Sequence, residues 1–279
     1  MKKINLYFLA LVVLIMASCA GGSGQQEEST QTESEATTVA EEKKPEYPEL
    51  LQKVFEAHGG LETWQAQGTL EYDLYKNEEL TGGEHQLIDL TNRKVLLSAE
   101  AYKIGFDGEE VWVSPNKAAF GSSPRFYHNL FFYFFAIPFV FGDEGINYEV
   151  IGETTVAGKT YNAIKVSFNA GVGDAPDDYY IGHFNVDTNQ LELLLYTVTY
   201  RSREKTENYN ALVYEWQEAN GLIIPKSITG YKYSEGELGD QRYKGIFENV
   251  TFKTEQPDQS VFAIPAESEI DTLITELAQ

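Results

Sequence analysis

The residues able to do chemistry in this 279-residue chain are four histidines, one cysteine and a surplus of carboxylates, 43 Asp and Glu against 21 Lys and Arg. His58, His85, His128 and His183 stand apart, and none makes the His-x-x-x-His spacing that aims two imidazoles at one metal from a helix face. His58 closes an amphipathic run, the place of a helix C-terminal residue rather than a base. His128 lies inside an aromatic segment, facing either solvent or a ligand carboxylate. His183 stands on a predicted strand near Asp174, Asp177, Asp178 and Asp187. Those oxygens suit calcium, but the spaced ligands of an EF-hand are absent, so a solvated acidic loop is expected. No Gly-x-Ser-x-Gly elbow or phosphate-binding loop occurs. The expectation is therefore a protein that is not an enzyme, with no catalytic residue, metal or cofactor. A hydrolase using Asp177 or Asp178 is the third-ranked reading, because a glycosidase-like pair must face across a cleft that spacing does not reveal.

The cysteine has a different chemistry. Lys2 and Lys3 precede an apolar run over residues 4–16, and Ala17-Ser18-Cys19 follows. A basic start, a short hydrophobic stretch and small residues define a secretory leader, too short for an ordinary transmembrane helix. Met16-Ala17-Ser18-Cys19 resembles a bacterial lipobox, in which the thiol is diacylglycerated and cleavage leaves the cysteine first; Met16 stands where Leu is usual. Residues 1–18 are read as a lipoprotein signal peptide and Cys19 as the lipidation site. One acyl chain anchors weakly and two or more hold stably, so an acylated Cys19, carrying palmitate-type chains, ties the protein to a membrane. Residues 19–46 then form an acidic tether, rich in Gly, Ser, Thr, Gln and Glu, with Val39 as its one large aliphatic. Such a stretch buries too little surface to offset its ordering entropy and self-repels.

The net charge of −22 repels phosphate backbones, so nucleic acid is not expected as a partner. From Tyr47 on, 18 Tyr and 16 Phe against two Met favour strands over a helical bundle. Pro48 and the spacing of Leu50, Leu51, Val54 and Phe55 predict a helix over 48–58, stopped by Gly59-Gly60. Alternating residues between Leu70 and Phe252, punctuated by Asp107-Gly108 and Asn220-Gly221, predict about ten antiparallel strands in meander order. Residues 267–277 could form a short closing helix. The rhythm breaks at 124–141, where half of the residues are aromatic. As a helix it would be apolar nearly all round, with Phe126, Leu130 and Phe134 on one stripe and Phe131, Phe132 and Phe135 on the others. It must be buried on most sides, either as plain core or as the wall of a cavity suited to an acyl chain.

A resemblance joins these pieces. Ala57-His58-Gly59-Gly60-Leu61 with Trp64, Asp107-Gly108 before Val111-Trp112, the run from Asn220 to Lys226, and Pro257-Asp258-Gln259-Ser260-Val261-Phe262-Ala263-Ile264-Pro265 are similar as a set to the periplasmic lipoprotein carrier and receptor (LolA/LolB-like) superfamily, in its lipidated Bacteroidetes-type form. The resemblance spans about 48–265. It implies a mainly β (α+β) fold, a strongly curved antiparallel half-barrel with helices covering the concave face, in one domain over 47–279 with 124–141 as the helical insertion. It also implies a hydrophobic cavity. The lipobox is closer to the receptor than to the soluble carrier, and Arg125 is only a guess for the carrier's lid-gating arginine.

The expected function is thus an outer-membrane-anchored lipoprotein, facing the periplasm or the cell surface, that binds a lipid or lipoprotein acyl chain. Trp112, Phe126, Phe131, Phe134, Phe135, Phe139 and Phe141 are the expected pocket residues, chosen by location and apolar size. The alternative is a surface module binding glycan or protein through exposed Tyr and Trp.

Overall fold

Pro48 cannot donate a backbone hydrogen bond, and it sits where none is needed, capping helix α1 (Glu49–Ala57), which buries Leu51, Val54 and Phe55. In the computed structural model the described residues are 46–169, 177–200 and 206–272. The leader, Cys19, all of the tether but Glu46, and Asp174 lie outside them. Gly59 and Gly60 both have positive φ, and a Cβ on Gly59 would come 2.2 Å from the Gly221 carbonyl oxygen, so only glycine lets α1 end against that turn. Helix α2 (Leu61–Gln65) follows and buries Trp64.

The rest is one open antiparallel sheet. Its strands are β1 (Thr69–Tyr75), β2 (Glu84–Asp89), β3 (Val95–Ser98), β4 (Lys103–Phe106), β5 (Val111–Ser114), β6 (Ile146–Val156), β7 (Lys159–Phe168), β8 (Tyr180–Asn185), β9 (Leu191–Tyr196), β10 (Asn210–Ala219), β11 (Leu222–Ser234), β12 (Glu237–Lys253) and β13 (Glu269–Ile270). They lie in the order β13-β5-β4-β3-β2-β1-β12-β11-β10-β9-β8-β7-β6. This is the mainly β half-barrel expected, with thirteen strands where about ten were predicted. The strands missed are β2, which turns Glu84 and Gln86 inward and so hides its alternation, and the short β3 and β13. Three two-residue turns with both φ positive, Ala157-Gly158, Asn220-Gly221 and Glu235-Gly236, join β6–β7, β10–β11 and β11–β12. Asp107-Gly108 begins a four-residue turn instead, in which Asp107 Oδ1 accepts from the Glu109 and Glu110 amides. The Ala157 amide donates to Gly236 O across a gap of three strands, so the sheet bends back on itself there, over a second apolar cluster that includes Val156 and Leu193.

Because β5 lies near one edge of the sheet and β6 forms the other, the chain between them must cross the whole of one face. That crossing carries the aromatic segment. It folds as α3 (Lys117–Phe120), α4 (Pro124–Tyr127), α5 (Leu130–Ala136) and a 3-10 turn (Phe139–Gly142), a helix broken where Pro138 cannot continue it. Phe135 packs between Tyr72 of β1 and Phe247 of β12, with ring centroids 5.0 Å from each. Phe139 stacks on Trp64 at 4.8 Å, and Phe134 meets Tyr196 of β9 edge-on at 4.9 Å.

Two expectations are corrected. Residues 267–272 are not helical: β13 pairs with Trp112 and Val113, closing the β5 edge, and the Asp271 carboxylate accepts from the Arg125 amide and Ser123 Oγ at the start of α4. His58 does not act as a charged dipole partner. It is fully buried; Leu191 N donates to its Nε2 at 3.1 Å, which leaves Nδ1–H to donate to Ile223 O at 3.1 Å. Burial pushes its pKa down to about 4, and that of His183 likewise. Such a group favours the unfolded chain once protons are available: full stability holds above pH 6.5, and it is lost as pH falls towards 4. Each histidine should account for roughly 3 kcal/mol of that loss. His58→Gln should therefore reduce the difference in urea-unfolding stability between pH 7 and pH 4.5 by about 2–3 kcal/mol relative to the parent.

Candidate functional site

A broken helix leaves carbonyls that its own turns do not use, and buried carbonyls need donors. Tyrosines supply them. Tyr214 of β10 donates to Phe134 O at 3.1 Å, Tyr148 of β6 to Phe141 O, and Tyr47 to Gly142 O at 2.9 Å. At the other end, Glu84 of β2 is buried and accepts from Tyr127 of α4 (2.6 Å), Tyr102 (2.7 Å) and Gln86 (2.7 Å), while Tyr72 donates to Gln86 Oε1 at 2.6 Å. These bonds pin the covering segment at fixed height over the sheet.

The cover does not fill the space beneath it. A cleft of about 320 Å³ runs between one face of α4, α5 and the 3-10 turn and the β6–β8 end of the sheet. Of the predicted pocket residues, Phe126, Phe134 and Phe141 line it. The other four do not. Trp112 lies flat over Gly105, where a Cβ would come 2.2 Å from the indole, and its Nε1 donates to Phe262 O at 3.1 Å. Phe131, Phe135 and Phe139 face the sheet as core, Phe131 between Tyr127 and Tyr243. The residues missed from the segment are Leu130, Tyr133, Ile137 and Val140; Ile146, Phe168 and Tyr180 join from β6, β7 and β8. The signal was in the helical stripe of Phe126, Leu130 and Phe134, which continues at i+3 and then i+4 to Ile137 and Phe141 and forms part of the cleft wall. Size and location alone mixed that stripe with the opposite face.

Charged groups also line the cleft. Arg93, in the β2–β3 turn with φ +63°, sends one guanidinium nitrogen to both oxygens of Asp143 at 2.9 Å, with its guanidinium 5.2 Å from the Phe132 ring. Burial raises the Asp143 pKa, and Arg93 opposes that rise. Asp178 accepts from the Thr199 amide at 2.7 Å and from Thr197 Oγ1 at 3.2 Å, and its pKa is also raised by burial. Arg125 and His128 line the cleft too, with His128 Nδ1 2.6 Å from Arg125 O. His85 is on an exposed stretch of β2, 2.9 Å from Asp73. Among the described residues no group of three or more His, Cys, Asp or Glu stands ready for a metal, and no helix is long and apolar enough to cross a membrane. A mostly apolar wall with several charged groups among its lining has room for an apolar molecule.

No family model matches the chain, and no curated protein matches it. It is similar to several solved structures. A DUF1329 family protein from Desulfovibrio piger is 12% identical, over 75% of this chain and 99% of that one, with a TM-score of 0.45. A LolA superfamily protein from Nitrosomonas europaea is 8% identical, over 77% and 96%, with a TM-score of 0.44. An outer membrane lipoprotein-sorting protein domain from Vibrio parahaemolyticus is 10% identical, over 75% and 96%, with a TM-score of 0.39. The superfamily that the sequence motifs resemble is thus among the structures this chain is similar to. At these scores the likeness carries nothing about activity, and the functional reading rests on the cleft.

The polar pins have a measurable worth. Glu84→Leu leaves Tyr102, Tyr127 and Gln86 donors without their acceptor, and should lower unfolding stability by about 3 kcal/mol or more. Tyr102→Phe, at the half-buried end of the same network, should cost only about 1 kcal/mol in the same urea titration.

Proposed function

We propose that this chain is a lipid-anchored, non-enzymatic protein of the bacterial cell envelope that shelters an apolar ligand, an acyl chain of a lipid or lipoprotein, in the cleft beneath its aromatic cover. The observation that carries the reading is the cleft itself: about 320 Å³, walled by Phe126, Phe134, Phe141 and their apolar neighbours. That volume lies within the usual range of ligand pockets. Removing acyl surface from water drives binding, at about 0.8 kcal/mol per CH₂. In this reading acylated Cys19 holds the protein to the outer membrane, and the acidic segment up to residue 46 is its leash.

The glycan- or protein-binding alternative draws on exposed aromatic rings. Among the described residues Tyr133, 39% exposed, is the only aromatic among the exposed large hydrophobic side chains, and it lines the cleft. That favours the cleft over a flat platform.

Two measurements test the proposal. Mass spectrometry of an organic extract of the purified chain should find acyl lipid; an empty extract together with no uptake of fatty-acid probes overturns the cleft reading. Cells fed a palmitate analogue should label the parent chain and not Cys19→Ser, which should move from the membrane to the soluble fraction; a labelled or membrane-bound variant overturns the anchor.

A further inference from the structure

Arg93 Nη1 and Asn129 Oδ1 are both buried without a hydrogen-bond partner, and both residues line the cleft. Asn129 is 6% exposed, and its Nδ2 donates to Arg93 O at 3.3 Å, which makes Oδ1 the end left over. Arg93 is already neutralised, since its other terminal nitrogen holds both oxygens of Asp143. Buried polar groups normally find partners, so a donor and an acceptor left over on two residues of the same cleft describe what is missing.

We infer that the cleft is built for a single-chain amphiphile whose head is uncharged and carries both a hydrogen-bond acceptor and a donor, an alcohol or an amide, taken up by Arg93 and Asn129. The inference rests on the cleft reading above and adds the chemistry of the head. A carboxylate offers acceptors alone: it answers Arg93, leaves Asn129 Oδ1 facing another acceptor, and adds an anion to a cleft whose lining already holds three carboxylates, Asp143, Glu144 and Asp178, against two guanidinium groups, Arg93 and Arg125. An ammonium offers donors alone and brings a cation to a guanidinium. A hydroxyl or an amide satisfies both atoms without changing the charge. The volume, at the small end of ligand pockets, suits one chain rather than two. Both atoms are shielded as the cleft stands, so the head engages them through side-chain adjustments of the size that accompany binding to pre-formed sites.

The test is displacement of the neutral fluorophore N-phenyl-1-naphthylamine from the purified full chain at pH 8 by decanol, decanamide, decanoate and decylamine. The alcohol and the amide should compete about tenfold better than the two ions. Asn129→Leu should shrink that difference to about threefold or less, and Asn129→Asp should turn the preference towards decylamine. The second variant keeps the test decisive if the first fails to fold. Equal competition by all four heads, or a preference for decanoate, overturns the head assignment while leaving the apolar cleft in place. Absence of fluorophore uptake and of any competition overturns the cleft reading with it.

Discussion

The structure depends on one topological demand. The strand before the aromatic segment lies near one edge of the sheet and the strand after it forms the other, so the chain must cross an entire face in about thirty residues. A single straight helix would satisfy its own backbone but could not follow a bent sheet. The chain instead uses short helices and a 3-10 turn, and the carbonyls this exposes are met by tyrosine hydroxyls from Tyr47, Tyr148 and Tyr214. Three of the 18 tyrosines of the sequence meet that demand. Each ring packs in the core while its hydroxyl reaches the cover.

The same crossing makes the cleft. Where α5 lies over β1 and β12, Phe135 fits between Tyr72 and Phe247 and is fully buried. Towards β6, β7 and β8 the sheet bends back, and the opposite stripe of the same segment faces a gap it does not fill. Core and cleft are thus the two sides of one amphipathic-by-position element, although both sides are apolar. The polar atoms gather at the seam where the β2–β3 turn meets the cover, with Arg93 held in a left-handed conformation that a non-glycine residue adopts only at a cost of order 1 kcal/mol.

Three buried or half-buried polar groups, His58, Glu84 and Asp178, tie distant elements together. His58 joins α1 to the start of β9 and to β11, neutral and sealed. Glu84 is a buried junction for two tyrosines and a glutamine. Asp178 closes the loop after β9 through Thr197 and Thr199. Each has its oxygens or nitrogens engaged by neighbours, which is how a polar group survives burial.

Much of the fold was legible in the residues. The stop of α1 at Gly59-Gly60, the Asn220-Gly221 hairpin and the strand rhythm are local properties of backbone and side-chain period, and local properties can be read along a line. The odd composition of 124–141 was legible too, as a segment that had to be buried. Its two faces were not told apart, because every face was apolar and only the bend of the sheet decides which one meets packed strands and which meets a gap. β2 escaped for a related reason: Glu84 and Gln86 turn inward because tyrosines distant in sequence wait there, and β13 formed where a helix was expected because the β5 edge needed a partner. The sequence alone determined a β-rich chain with an aromatic insertion to hide. Tertiary structure alone decided where that insertion leaves room, since a void is a property of surfaces that meet across the chain and of no single stretch within it.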